Sequence, residues 1–318
     1  MLDVRNLKTY FFTRHGVVKA VDGISFSVAD GENVGLVGES GCGKSVTVRS
    51  ILRLIPHPGR ILEGEIIFKG SDLLKKTEAE MRKIRGAEIS IILQDPLTSL
   101  NPAYTIGDQI GEAVSIHQHL RGKAVLQKVV EAIKLVRVPE PEMRTRDYPH
   151  QMSGGMRQRV TGAIALSCQP RLLIADEPTT SLDVTIQAQY LDLLEQIQKQ
   201  SGISIIFVTH DFGIVARMCD KAAVMYAGKI VEMGEVSEIF NNPQHPYTSA
   251  LLKCLPKVDR VEKLVSIEGD VPDLSKLPPG CSFAPRCPYR HDICDERYPD
   301  EVELSPQHRV SCWQRSSS

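Results

Sequence analysis

Gly38-Glu39-Ser40-Gly41-Cys42-Gly43-Lys44-Ser45 satisfies the pattern G-x-x-x-x-G-K-[ST] at every fixed position. Such a run binds phosphate. Its glycines let the backbone curl, so that successive N–H groups and the start of a following helix point at anionic oxygens. Lys44 is expected to reach the β- and γ-phosphates and Ser45 to give an oxygen to Mg²⁺, with Val46 closing the run that contacts the nucleotide.

Other residues further along the chain carry complementary chemistry. Leu172 to Ala175 is an apolar run closed by Asp176 and Glu177, which assigns Asp176 to a hydrated Mg²⁺ and Glu177 to polarising the attacking water. Gln94, after the apolar run Ile89 to Leu93, is placed to offer its side-chain oxygen to Mg²⁺ or to a water. Ser153 is a plausible N-cap, and Gly154 and Gly155 leave the first-turn N–H groups uncovered, which makes a second anion site. His210 follows the buried-strand run Ile203 to Val208. Three strands ending in polar residues suit a nucleotide site at the carboxyl edge of a parallel sheet.

The elements that must position these groups are legible in outline. Val34 to Val37 leads into the glycine loop, and Val48, Ile51, Leu52 and Ile55 lead out with helical spacing. Leu2 to Ala29 reads as short strands with turns at His15-Gly16 and Asp22-Gly23, an antiparallel edge sheet. Within it Tyr10 and Phe11 face opposite sides of a strand, and one of them is a candidate to stack on an adenine ring. Thr77 to Arg85 reads as a charged helix. From Ile106 to Val138 the period is helical, with Leu126, Val129, Val130, Ile133 and Val136 on one stripe. Thr179 to Asp183 is a loop before a helix striped by Ile186, Tyr190, Leu193, Leu194 and Ile197.

Composition narrows the function. A chain of 318 residues has room for one large or two modest domains. The net charge of -1 supplies no basic excess to displace counterions from nucleic acid, so no nucleic-acid partner is expected. Met1 to Arg5 shows no charged n-region leading to an apolar stretch, so no signal peptide is expected. The apolar runs are too short to cross a bilayer, so a membrane role would come through partners.

The ordered set of glycine loop, Gln94, Ser153-Gly154-Gly155, Asp176-Glu177, Ser181-Leu182-Asp183 and His210 resembles the ATP-binding subunit of an ABC transporter over about residues 2–240. The resemblance implies a P-loop NTPase (RecA-like) α/β core over 1–95 and 160–240, with an antiparallel β subdomain. A helical signature subdomain would occupy 96–159, and a C-terminal extension 241–318. It also implies a head-to-tail dimer in which ATP lies between one subunit's glycine loop and the other's signature helix. On that pattern Glu177 is the catalytic base, His210 contacts the γ-phosphate, Asp183 belongs to the loop after the acidic pair, and Gln94 senses the metal. Met156 departs from the family's usual Gln.

Gln94 to Pro102 and the Asn242-Pro243-Gln244-His245-Pro246-Tyr247-Thr248 element are similar to the dipeptide, oligopeptide and nickel import subgroup. That subgroup implies a homologous second ATPase, two permeases and an extracytoplasmic binding protein, at the cytoplasmic face of the cell membrane. The alternatives are a nickel or other solute importer, or an ABC ATPase outside transport. Repair-type members carry long coiled-coil insertions and translation-type members two cores in one chain, and neither is seen here.

Beyond Asp270 the composition turns to Pro, Cys and charge, which predicts a segment unable to order itself unaided. Cys281, Cys287, Cys294 and Cys312 stand in it, and the four suggest a metal staple. Zinc prefers a close C-x₂₋₄-C pair, absent here, whereas a [4Fe–4S] cluster accepts other spacings. The resembled subgroup includes members with such a cluster, so it is the expected group, with zinc, free thiols or two disulfides as alternatives. Cys42, Cys168, Cys219 and Cys254 read as small buried or neutral positions.

Overall fold

The computed structural model describes residues 1–180, 182–255 and 267–315. β1 (Leu2–Thr13) and β2 (Gly16–Val28) form a long hairpin, and β3 (Asn33–Val37) runs through the glycine loop into α1 (Lys44–Ile51). β4 (Gly59–Phe68) and β5 (Ser71–Asp72) follow. α2 (Glu78–Ile84) starts at a reciprocal capping box between Thr77 and Glu80. β6 (Ile89–Ile92) leads to α3 (Pro96–Ser99), α4 (Ile106–Gln118), α5 (Lys123–Leu135), α6 (Pro141–Arg144) and α7 (Gly154–Leu166). Then come β7 (Leu172–Asp176), α8 (Val184–Ser201), β8 (Ser204–Thr209), α9 (Phe212–Met218), β9 (Lys221–Tyr226) and β10 (Lys229–Glu235). α10 (Val236–Asn241), α11 (Pro246–Lys253), α12 (Ile293–Glu296), β11 (Val302–Ser305) and β12 (His308–Val310) complete the order.

The chain divides into two compact units. The first comprises residues 1–28, 33–74 and 208–318. Its antiparallel sheet has the order β2-β1-β4-β5, and a second run of strands has the order β11-β12-β10-β9-β3, with β3 and β9 parallel. Asp22-Gly23 is not a turn, as the sequence suggested, but lies inside β2, where the Asp22 N–H donates to the Gly228 carbonyl. The hairpin turns only at Arg14-His15. Two partners, β1 beside it and Gly228 behind it, outweigh the local turn signal of an Asp-Gly pair.

The described residues of the tail beyond Asp270 do not order themselves alone but pack within the first unit. Phe283, 1 % exposed, joins Tyr226, Tyr247, Phe212 and Ile239 in one apolar core, with Leu274, Leu277, Cys281 and Cys287 packed at its edge. β12 pairs antiparallel with β10, and Glu232 of β10, whose side chain is fully buried, accepts from His308 Nε2 at 2.8 Å. The segment is poor in apolar residues, but the few it has cover aromatic surface already present, so it does not need a core of its own.

The second unit comprises residues 29–32 and 75–207. Its strands have the order β8-β7-β6, with β6 and β7 parallel. The helical pattern expected over 106–138 is two helices, because His119 takes a left-handed conformation and Gly122 opens the second. Val129, Ile133 and Val136 of the predicted stripe are buried, while Leu126 is 53 % exposed. In α8, Tyr190, Leu193, Leu194 and Ile197 are buried as the spacing predicts. Among the described residues no helix is long and apolar enough to cross a membrane.

Candidate functional site

Gly38 to Lys44 in the first unit forms a tight loop held from behind. A Cβ on Gly38 would stand 2.2 Å from the Met225 carbonyl oxygen, and one on Gly43 2.2 Å from that of Ala20. Both glycines also have positive φ, so these two positions exclude a side chain twice over. Lys44 is 5 % exposed, and its ammonium donates to the carbonyls of Gly38 at 2.7 Å and Glu39 at 2.9 Å, which clips the loop into its curve. Cys42 is buried beneath it, and burial pushes its thiol pKa up. Ser40 and Gly41 are exposed, and Ser45 and Val46 open α1 half-buried.

Glu39 is held at three points. Its N–H donates to the Tyr247 hydroxyl at 2.9 Å, its carbonyl accepts from Lys44, and its carboxylate takes two hydrogen bonds from Arg286, at 2.8 and 3.1 Å. Expected as a nucleotide contact, Glu39 here turns its amide and its side chain to the C-terminal extension. Sequence reasoning missed Arg286, and it read Tyr247 only as part of a motif.

Of the aromatic pair, Tyr10 donates its hydroxyl to Asp22 Oδ1 at 2.5 Å, and its ring lies 6.0 Å from the Lys19 ammonium. Phe11 lies against Gly59, where a Cβ would stand 2.7 Å from its ring. Phe12, not anticipated, is the exposed member at 44 %, with the Arg60 guanidinium 5.8 Å from its ring. His210 is exposed after β8, and the following Asp211 caps α9 by accepting from the Gly213 N–H at 2.7 Å.

In the second unit Asp176 ends β7 at 1 % exposure. The next residue, Glu177, adopts φ 47 immediately before Pro178, a conformation disfavoured for a side-chain-bearing residue. Its Oε2 accepts from Gln94 Nε2 at 2.9 Å and from Thr180 Oγ1 at 2.9 Å. The structure therefore brings Gln94 and Glu177 together and adds Thr180, a partner that sequence reasoning missed.

Ser153 caps α7, accepting from the Met156 N–H at 3.3 Å. Ser153 and Gly154 are exposed, and a Cβ on Gly155 would meet Ile186 at 2.8 Å, so the signature turn leans on the first turn of α8. Asp183 caps α8 by accepting from the Ile186 N–H at 3.0 Å. Ser181 lies outside the described residues.

Of the four tail cysteines, Cys294 and Cys312 are buried and Cys281 and Cys287 half-buried. Burial, with the other three thiols adding, pushes Cys281 up to about 11. Among the described residues no group of three or more His, Cys, Asp or Glu stands as a site for a metal ion, so neither the iron–sulfur cluster expected at the tail cysteines nor the zinc alternative finds support in this arrangement.

His245 is buried at the start of α11, where its Nδ1 accepts from the Tyr247 N–H at 3.1 Å. Its own N–H and that of Gln244 donate to the Glu232 carboxylate at 2.9 and 2.7 Å. Burial pushes the His245 pKa down to about 3. The ring is a neutral structural cap that sets Tyr247 against the loop.

A glycine loop built around a clipped lysine in one unit, and an acidic strand end with a capped signature helix in the other, define an ATP-binding cassette. Residues 21–180 match the family described as ABC transporter, and the chain belongs to that family. Residues 231–294 match the family described as Oligopeptide/dipeptide transporter, C-terminal region, a match that takes in Tyr247, Arg286 and three of the four cysteines. The chain is 51 % identical to the dipeptide transport ATP-binding protein DppD of Bacillus subtilis, over 98 % of this chain and 94 % of that protein. It is 47 % identical to the oligopeptide transport ATP-binding protein AppD of the same organism, over 98 % and 96 %. Among solved structures, cbiO1 from Clostridium perfringens, part of an ABC transporter complex, aligns with TM-score 0.65 at 28 % identity over 76 % of this chain and 90 % of its own. The dimeric ATP-binding cassette MJ0796 with ADP and Pi, at 24 % identity and TM-score 0.67, covers 74 % of this chain and 99 % of its own and shares the fold.

Proposed function

We propose that this chain is the ATP-hydrolysing subunit of a dipeptide or oligopeptide importer, acting peripherally at the cytoplasmic face of the cell membrane. The observation that carries this is the joint match to a peptide-transporter C-terminal region and to peptide-transport ATP-binding proteins over nearly the whole chain.

In this reading Lys44 and the loop N–H groups hold the β- and γ-phosphates, and Ser45, Gln94 and Asp176 hold Mg²⁺. Mg²⁺, when bound, neutralises charge on the phosphates. Glu177 polarises the attacking water, and His210 contacts the γ-phosphate. Ser153, Gly154 and Gly155 serve the nucleotide of an opposing ATPase, and Asp183 fixes the start of α8 beside them. An aromatic among Tyr10, Phe11 and the more exposed Phe12 receives the adenine ring. The division into a core over 1–95 and 160–240, a signature segment over 96–159 and an extension over 241–318 is a functional one on this reading.

The partners are a second ATPase, either a homologous chain in a heterodimer or a second copy in a homodimer, two permeases and an extracytoplasmic binding protein. The tail is read as holding a [4Fe–4S] cluster on Cys281, Cys287, Cys294 and Cys312, a reading that rests on the presence of four thiolate-forming residues in one segment. The test of function is uptake of labelled dipeptides, oligopeptides and nickel by vesicles containing the co-purified complex. ATP-dependent peptide uptake supports the reading, and uptake of nickel alone replaces it with the metal importer.

A further inference from the structure

The glycine loop contains one residue whose amide, carbonyl and side chain are all engaged, and two of the three partners come from far along the chain. Glu39 N–H donates to Tyr247 and its carboxylate binds Arg286, at sequence separations of 208 and 247 residues. The Arg286 side chain is 4 % exposed and that of Glu39 is 29 % exposed, so the pair is drawn out of water on the arginine side.

Arg286 is itself fixed. It donates to the carbonyls of Glu268 at 3.0 Å and Ile267 at 3.4 Å, and its guanidinium lies 5.9 Å from the Tyr226 ring and 6.0 Å from that of Phe283. A bidentate guanidinium anchored by further contacts fixes where its carboxylate sits. Tyr247 is also fully buried, with ring neighbours Tyr226 at 4.6 Å and Phe283 at 5.4 Å, so its hydroxyl is a fixed acceptor for the Glu39 amide.

We propose that Arg286 and Tyr247 are positioning residues for the glycine loop, and that the C-terminal extension thereby sets the affinity of this chain for nucleotide through Glu39. Lys44 closes the argument, because the lysine expected on the phosphates donates to the carbonyl of the residue whose other two groups the extension holds. Displacing Glu39 changes both the curve of the cradle and the place from which Lys44 acts. The extension is then part of the ATP site's support rather than an appendage, and Arg286 adjoins Cys287, one of the four clustered thiols.

This inference rests on the reading of residues 38–45 as the nucleotide site. The test is equilibrium binding of Mg-ATP to the full chain, with melting in the absence of nucleotide followed in parallel. Wild type and Lys44→Ala test the underlying reading: if wild type binds no ATP, that reading fails. Given wild-type binding, Arg286→Met is expected to weaken ATP about tenfold, the scale of a lost charged hydrogen bond. Tyr247→Phe, which removes one oxygen, is expected to weaken it about threefold at unchanged melting temperature. The double variant Arg286→Met with Glu39→Gln is expected to bind no worse than Arg286→Met alone, because both act through one contact. Wild-type affinity in Tyr247→Phe and Arg286→Lys, or simple addition of the Arg286 and Glu39 losses, would overturn the proposal. Should Arg286→Met fail to fold, Tyr247→Phe and Arg286→Lys decide it.

Discussion

Gln94 and Glu177 are joined directly, the amide Nε2 of one donating to Oε2 of the other at 2.9 Å. Glu177 also carries a positive φ at the end of a buried strand. Strained backbone that persists beside a polar network marks positions where geometry serves chemistry. Replacing Glu177 by Gln keeps the side chain's shape and one acceptor oxygen but removes the base. Glu177→Gln is expected to bind ATP as wild type does and to lose at least about 100-fold in single-turnover hydrolysis. Wild-type turnover would take Glu177 out of the base role. Gln94→Ala, which removes one donor and keeps the bond from Thr180, is expected to slow hydrolysis less.

The cradle's two crowded glycines make a sharper test of the loop than its charged residue does. Gly43→Ala puts a methyl group within 2.2 Å of a backbone carbonyl that belongs to β2 and has little room to retreat. Loss of ATP binding with a drop in melting temperature is expected, and Gly41→Ala, where nothing lies within 4 Å, is expected to cost less. Equal behaviour of the two variants in calorimetric titration and melting would contradict the geometry.

Acid should loosen the support of Tyr247. His245 is neutral when folded, with its pKa pushed from 6.5 to about 3 by burial. The unfolded chain binds the extra proton first, so the stability contributed is present above pH 6.5 and is lost as pH falls toward 3. Urea unfolding of the first unit should show about 1.5 kcal/mol lost between pH 6.5 and 5 from this group. His245→Asn, which can still cap α11, is expected to remove that slope. An unchanged slope in the variant would assign the acid sensitivity to other groups.

Purified without oxygen, the chain is expected to carry about four irons and four sulfides. Cys294→Ser should lower both together, while Cys168→Ser, a thiol outside the four tail cysteines, should leave them unchanged. One zinc and no sulfide would refute the cluster.

What could be read from the sequence was local. The glycine loop, the Thr77 capping box and the Ser153 cap are patterns within a few residues, set by backbone chemistry that any chain shares. The apolar stripe of α8 was equally plain, because burial repeats at the helical period. Contacts closed over long separations were not legible. Nothing near Glu39 announces Arg286 or Tyr247, and nothing near Asp22-Gly23 announces that Gly228 will hold it in a strand. The tail's dependence on other elements is legible in its polar composition, but the aromatic surface that receives Phe283 is not, because β9 and α11 contribute it.

The central claim is that hydrolysis at Glu177 powers peptide import, and the most direct measurement is ATP turnover by the assembled transporter with and without peptide-loaded binding protein. Peptide is expected to accelerate turnover in the wild type, and Glu177→Gln to bind ATP yet show neither basal nor stimulated turnover. Turnover indifferent both to peptide and to the substitution would contradict the account.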